Sequence, residues 1–307
     1  MIKTVSHATF GCPDLEAATR FMVDFGLVVS HSAEGATYFR GAEGRPYIFV
    51  LKEAPQPGLV SVAYEVRSMD DLRAMAGKLG ATVEPIDDNP WGGSSAKLVD
   101  CDGNPVEIVC GIQSVAPLKM PREAVVPNSG GQIRRKGRLP VFGDGPLPVL
   151  KLCHVVHASP DTQRFVDWYV EHLGAYPSDI VMGPRQPTLA FMRFPDGSNF
   201  VDHHNVGVFD GKKVGVQHVC FESLDMDAVF MAHRYLVKRG YRRSWGPVRH
   251  TYGGALSDYW HTSWGLRVEH VTDSDVLNDE YETLTLPMNE LATLQWTTEK
   301  MPDHYME

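Results

Sequence analysis

His154, His218 and Glu269 are the residues of this 307-residue chain whose types and settings best suit chemistry. Each lies in a short apolar run of strand character: Leu-Cys-His154-Val-Val, Gly-Val-Gln-His218-Val and Arg-Val-Glu269-His. Two neutral imidazoles and one carboxylate form the three-ligand set that suits a non-haem Fe(II) with coordination positions left open, and Mn(II) is compatible with the same donors. Such a set leaves the divalent ion at net +1, so a monoanionic chelating ligand would neutralise it in a partly dry pocket. Taken alone, any one of these histidines is more simply a packed core residue, because a buried imidazole needs only a hydrogen-bond partner. What makes them a set is that the chain repeats itself.

A first copy runs through His7-Ala-Thr-Phe, Pro13-Asp14 and a helical stretch ending at Gly26. A second runs through His154-Val-Val-His157, Pro160-Asp161 and a helical stretch over 164–172 ending at Gly174. Both continue with an apolar strand closed by Glu65 or Glu222, a helix ending at Gly80 or Gly240, and a Gly-led strand carrying one acid, Glu107 or Glu269. In the helix expected over 226–239, Val229, Ala232 and Leu236 recur at three-to-four spacing, which predicts one face packed on a sheet. Aligned on this repeat, the first copy offers His7, Ser61 and Glu107 where the second offers His154, His218 and Glu269. A serine hydroxyl is no substitute for an imidazole at such a centre, so one metal site is expected, in the second copy. The expected fold is α+β: two tandem domains, 1–111 and 148–273, each of two βαβββ modules forming an open half-barrel around a cleft. A Pro-, Gly- and Lys/Arg-containing linker spans 112–147, and the tail over 274–307 is expected to be a lid or a docked terminus.

The bulk numbers exclude several classes. With 29 Lys+Arg against 38 Asp+Glu the net charge is −9, the wrong sign for a phosphate backbone, so no nucleic-acid partner is expected. No apolar run approaches the roughly 20 residues of a membrane span, and Met1-Ile2-Lys3-Thr4 lacks a signal peptide's apolar core. A soluble, cytoplasmic protein is expected. Five cysteines without a CxxC pair read as reduced packing thiols.

The duplicated strand–helix–strand modules and the three ligand motifs together resemble the type I extradiol catechol dioxygenases of the vicinal oxygen chelate superfamily, over nearly the whole chain. The resemblance implies Fe(II)-dependent meta cleavage of a substituted catechol by dioxygen in aromatic-compound degradation, with the first domain structural. It also implies further site residues: His204, within Asp202-His203-His204-Asn205-Val206-Gly207-Val208; His250, within Arg249-His250-Thr251; and Tyr259, ten residues before Glu269. His204 would face the dioxygen side and deliver a proton, imidazole being the group whose pKa lies nearest neutrality. Tyr259 would hold or receive the proton of a substrate hydroxyl, with His250 bonded to the same oxygen or orienting Tyr259. The run Asp258-Tyr259-Trp260 followed by Ser263-Trp264-Gly265 is similar to the branch acting on dihydroxycumate or trihydroxytoluene. A homo-oligomer is expected.

Strand alternation predicts that His157, His203 and His270 face away from His154, His204 and Glu269. Trp245, Tyr252 and Trp264 either line a ring pocket or pack. Two other classes stay open: a glyoxalase-like isomerase or lyase, which adds carboxylate ligands and has no need of His204 with Tyr259, and a metal-free small-molecule-binding protein, which would not need the three ligands together. Fold alone does not separate them.

Overall fold

A computed structural model describes residues 1–137, 143–288 and 294–302. The repeated Pro-Asp pairs do the same local work twice. Asp14 accepts a hydrogen bond from Ala17 N at 2.9 Å ahead of the helix Leu15–Phe25, and Asp161 accepts from Arg164 N at 3.1 Å ahead of Thr162–Trp168, each satisfying a donor the helix start leaves open. The first helix stops at Gly26, whose φ of 114° suits a residue without Cβ. A Cβ there would sit 2.6 Å from the Leu147 carbonyl, so glycine also lets the approach to the second copy close on the first. The expected 164–172 helix begins two residues earlier and finishes as a wider π-turn, Tyr169–Leu173, before Gly174.

Each copy builds one sheet. In spatial order the first is Val28–Ala33, Ala36–Arg40, Phe49–Glu53, Ile2–Cys12, Gly58–Val66, Pro105–Cys110, Ser94–Val99 and Val83–Pro85. The second follows the same order: Tyr176–Met182, Pro187–Arg193, Val206–Asp210, Leu152–Ser159, Gly215–Glu222, Arg267–Thr272, Leu256–His261 and Arg243–His250. The α+β expectation holds, with strand–helix–three-strand units throughout; the third unit carries an added strand, Val201–Asp202, paired with Val276–Leu277. Two tail strands extend the second sheet at opposite edges, Leu284–Pro287 beside Tyr176–Met182 and Leu294–Thr297 beside Arg243–His250.

Strand register makes the repeat quantitative. His154 lies opposite Cys220, which lies opposite Glu269, while His218 lies opposite Val156. In the first sheet His7 lies opposite Ala63, which lies opposite Glu107, while Ser61 lies opposite Thr9. The two triplets therefore occupy the same lattice positions. One apolar cluster runs through both sheets, from Phe25 and Phe49 to Phe221. His270 seals it, stacking on Phe25 at 3.6 Å and meeting the Phe25 carbonyl through Nε2 at 2.7 Å. Asp24 adds a polar tie, accepting from Tyr235, Tyr241 and Arg239 of the second copy. All five cysteines are free thiols. Among the described residues no helix is long and apolar enough to cross a membrane.

Candidate active site

The three central strands of the second sheet aim His154, His218 and Glu269 at one point. The Nε2 atoms of the two histidines are 3.2 Å apart, and Glu269 Oε2 lies 3.2 Å from the first and 3.0 Å from the second. Three donors each roughly 2.1 Å from one ion, at right angles to one another, would stand roughly 3 Å apart, so the triangle has the dimensions of one face of an octahedral centre. Protons alone do not explain it. His218 Nδ1 donates to Gln217 Oε1, so a neutral His218 presents a bare Nε2 to the carboxylate oxygen and the two lone pairs repel. Burial keeps this imidazole neutral, lowering its pKa to about 4. Burial works against ionisation of Glu269, and its hydrogen bond with His154 works the other way, holding the carboxyl below its usual range. A buried anion among lone pairs fits a divalent cation.

Gln217 escaped strand logic for a physical reason. Alternation would turn it away from His218, but the register slips between Val216 and His218, and such a bulge brings neighbours to one side. Its bond orients the imidazole as metal-ligating histidines require. The Cys220 thiol also lies within 4.8 Å of the His154 and Glu269 donor atoms. Burial, with a bond to Cys153, pushes that thiol well above its ordinary pKa; it stays protonated, and the nearer His218 is the better third donor.

A cavity opens over this point. Residues from strands spanning Pro187–Arg193 to Arg243–His250 line it together, so the sheet curves around it. His204, His250 and Tyr259 all face it. The His204 ring stacks on His154 at 3.9 Å, and its buried Nε2 has no hydrogen-bond partner among the described residues. Burial, then the neighbouring His154, lowers its pKa well below the usual value. His250 Nε2 meets the Tyr259 hydroxyl at 2.9 Å, and Tyr259 sets its ring edge against His218 at 5.4 Å. Trp245 and Tyr252 line the cavity, whereas Trp264 packs against Phe21. Tyr252 Oη and Ser257 Oγ are two more buried polar atoms there without partners among the described residues. Ser257 carried no sequence signal, since serine in a strand is common.

The neighbouring histidines sort as geometry dictates. His157 packs on Phe165 and Tyr169, on the face away from His154, and His270 turns away from Glu269 as expected. His203 differs. It stands with His204 in the loop before Val206–Asp210, where alternation has no hold. Far from facing away, it is 2 % exposed and reaches His204 Nδ1 through its own Nδ1 at 3.0 Å. In the first sheet, His7, Ser61 and Glu107 share a polar cavity with Lys52 and Asp88, which pair at 3.0 Å. Burial first, then Arg45, takes His7 down to a pKa of about 3.

Residues 151–275 match the family model of the Glyoxalase/Bleomycin resistance protein/Dioxygenase superfamily. The match covers the second copy, which carries all three candidate ligands. Within the superfamily the resemblance is to the extradiol catechol dioxygenases. The chain is 27% identical over 277 residues to metapyrocatechase 2 of Cupriavidus necator, covering 90% of this chain and 82% of that protein. It also resembles homoprotocatechuate 2,3-dioxygenase from Brevibacterium fuscum in its anaerobic complex with 3,4-dihydroxyphenylacetate, with a TM-score of 0.80, 21% identity and coverage of 100% of this chain and 92% of that one. A Mn(II)-bound glyoxalase from Novosphingobium aromaticivorans superposes equally well, with a TM-score of 0.80, 20% identity and coverage of 100% and 94%. Fold therefore leaves the reaction open, and residues must choose.

Proposed function

We propose that this protein is an extradiol ring-cleavage dioxygenase that holds Fe(II) through His154, His218 and Glu269 and opens a substituted catechol with dioxygen. The single observation that carries the reading is the set His204, His250 and Tyr259 around one cavity, beside a three-donor centre. When bound, Fe(II) would supply the one-electron chemistry that lets dioxygen react with an aromatic ring. The chain's own residues do the rest. Three ligands leave room for both catechol oxygens, and the single carboxylate keeps the charge low enough to favour a monoanion. Tyr259, bonded to His250, takes or holds one substrate hydroxyl proton, and the unpartnered Nε2 of His204 handles a proton on the opposite side. Leu189, Phe191, Phe209, Trp245, Met288 and Met301 wall the cavity, excluding water and stacking on a ring. Met288 and Met301 come from the tail, which supports its reading as a cover over the site.

Among the described residues, no Lys or Arg lines this cavity. A carboxylate on the substrate would be buried without a partner, which costs at least about 3 kcal/mol, or a factor on the order of 10². Expected, then, is a kcat/KM for 3-alkyl or 3-aryl catechols about 100-fold above that for carboxylated ones, measured as yellow ring-fission product in an aerobic assay. Equal turnover of both classes would remove the apolar-pocket argument; none with any catechol would favour the isomerase or lyase reading. Anaerobic metal analysis is expected to return one equivalent of iron per chain, since His7, Ser61 and Glu107 lack the second imidazole. Two tightly held equivalents would overturn the assignment of a single site.

A further inference from the structure

Behind His204 lies a hydrogen-bonded chain that the proposed reaction does not by itself explain. Tyr281 Oη donates to Asp179 Oδ1 at 3.0 Å, Asp179 Oδ2 meets His203 Nε2 at 2.9 Å, and His203 Nδ1 meets His204 Nδ1 at 3.0 Å. Every member is at least partly buried, and Asp179 and His203 are each 2 % exposed. We propose that Asp179 and His203 are positioning residues that hold His204 as its Nδ1-protonated tautomer, so that a bare Nε2 lone pair faces the cavity.

The direction follows from donor and acceptor capacity. A carboxylate only accepts, so the hydrogen between Asp179 and His203 sits on His203 Nε2. A neutral imidazole carries one hydrogen, which leaves His203 Nδ1 as an acceptor. His204 must then donate from Nδ1, and its Nε2 is left without a hydrogen. That is the atom found buried, lining the cavity and without a partner among the described residues. The always-charged guanidinium of Arg193 is buried close by, interacts electrostatically with Asp179, and donates to the Tyr281 carbonyl at 2.8 Å.

The same neighbourhood fixes the His203 ring in place. Arg193 also donates to Ser178 Oγ at 3.1 Å, Ser178 donates to the His203 carbonyl at 2.6 Å, and His203 N donates to the Asp275 carbonyl at 3.2 Å. Gly253 presses on the ring from the other side: at φ +62°, a Cβ there would stand 3.0 Å from His203 Cγ. With Nε2 held toward Asp179 and Nδ1 toward His204, the tautomer follows from the ring's two partners. A lone pair at Nε2 suits a group that first accepts a hydrogen from a substrate hydroxyl and later returns it. This catalytic consequence rests on the ring-cleavage reading; the tautomer does not.

The test has two arms. In the full-length chain labelled with [15N]histidine and loaded with diamagnetic Zn(II), long-range 1H–15N spectra report the His204 tautomer, with His204→Phe identifying its signals. The expected spectrum shows Nδ1–H and a bare Nε2, and Asp179→Asn is expected to abolish the preference. In kinetics, Asp179→Asn should lower kcat by roughly 10–100-fold, the usual cost of losing the partner of a site imidazole, with KM and iron content unchanged. Added to His204→Phe, the same substitution should cost less than about twofold, because its effect passes through His204. A wild-type His204 carrying its hydrogen on Nε2 would overturn the proposal, as would equal losses in both backgrounds. Should Asp179→Asn fail to fold, the wild-type spectrum still decides. A wild-type chain that cleaves no catechol yet shows the Nδ1–H tautomer would sink the ring-cleavage reading and leave the positioning role standing.

Discussion

Glu269→Ala is expected to give a folded chain that no longer retains iron and has lost activity by about 10³-fold or more, and His154→Ala or His218→Ala should do the same. The magnitude follows from the several kcal/mol that a bound metal contributes to such chemistry, at about 1.36 kcal/mol per factor of ten. Glu269 is the most consequential of the three because its Oε2 is the only anionic donor and touches both imidazoles, at 3.2 and 3.0 Å. Two neutral imidazoles alone bind a hard divalent ion weakly. The fold should survive, since the apolar cluster that joins the two sheets contains none of the three ligands. Metal analysis on anaerobically purified protein, with a circular-dichroism melt beside it, checks both halves of the expectation. Normal iron content and turnover in Glu269→Ala would show that the centre lies elsewhere.

His204→Phe is expected to separate catalysis from binding. Iron content and catechol affinity should stay near wild type while kcat falls by 10²- to 10⁴-fold, the usual range for losing a general acid–base group. A phenyl ring can keep the packing on His154 and Phe191, whose ring centroids lie 3.9 and 4.4 Å from that of His204. Nothing is lost at Nε2, which has no partner among the described residues, but the Nδ1 bond to His203 goes with the ring, so stability should fall by about 1–3 kcal/mol while the three ligands stay in place. Steady-state kinetics at controlled oxygen tests this. Wild-type turnover would move the proton transfer to the His250–Tyr259 pair, which stands 2.9 Å apart across the cavity.

Much of this was legible in the chain, and for identifiable reasons. A repeated Pro-Asp before a helix and a repeated Gly after it are local signals, set by hydrogen bonds that a helix end must satisfy within a few residues. The candidate triplet was legible because duplication supplied its own control: matched lattice positions carry His7, Ser61 and Glu107 in one sheet and His154, His218 and Glu269 in the other. His203, Gln217 and Ser257 were not legible. His203 and Gln217 depend on a departure from regular geometry or on a partner far away in sequence, as with Asp179 and His203, 24 positions apart, and Ser257 looks like any other strand serine.

The sequence by itself determined the α+β repeat, the type and number of the candidate ligands, and which copy carries them. These follow from side-chain chemistry and from periodicities of two and 3.6 residues, which need no knowledge of long-range packing. Only the tertiary structure decided what the ligands' neighbours do. The slip between Val216 and His218 brings Gln217 onto His218. The loop before Val206–Asp210 lets His203 reach both Asp179 and His204, and the tail sets Met288, Met301 and Tyr281 against the site. Such contacts are decided by bulges, loop paths and chain closure, where one residue of slippage changes which face a side chain takes.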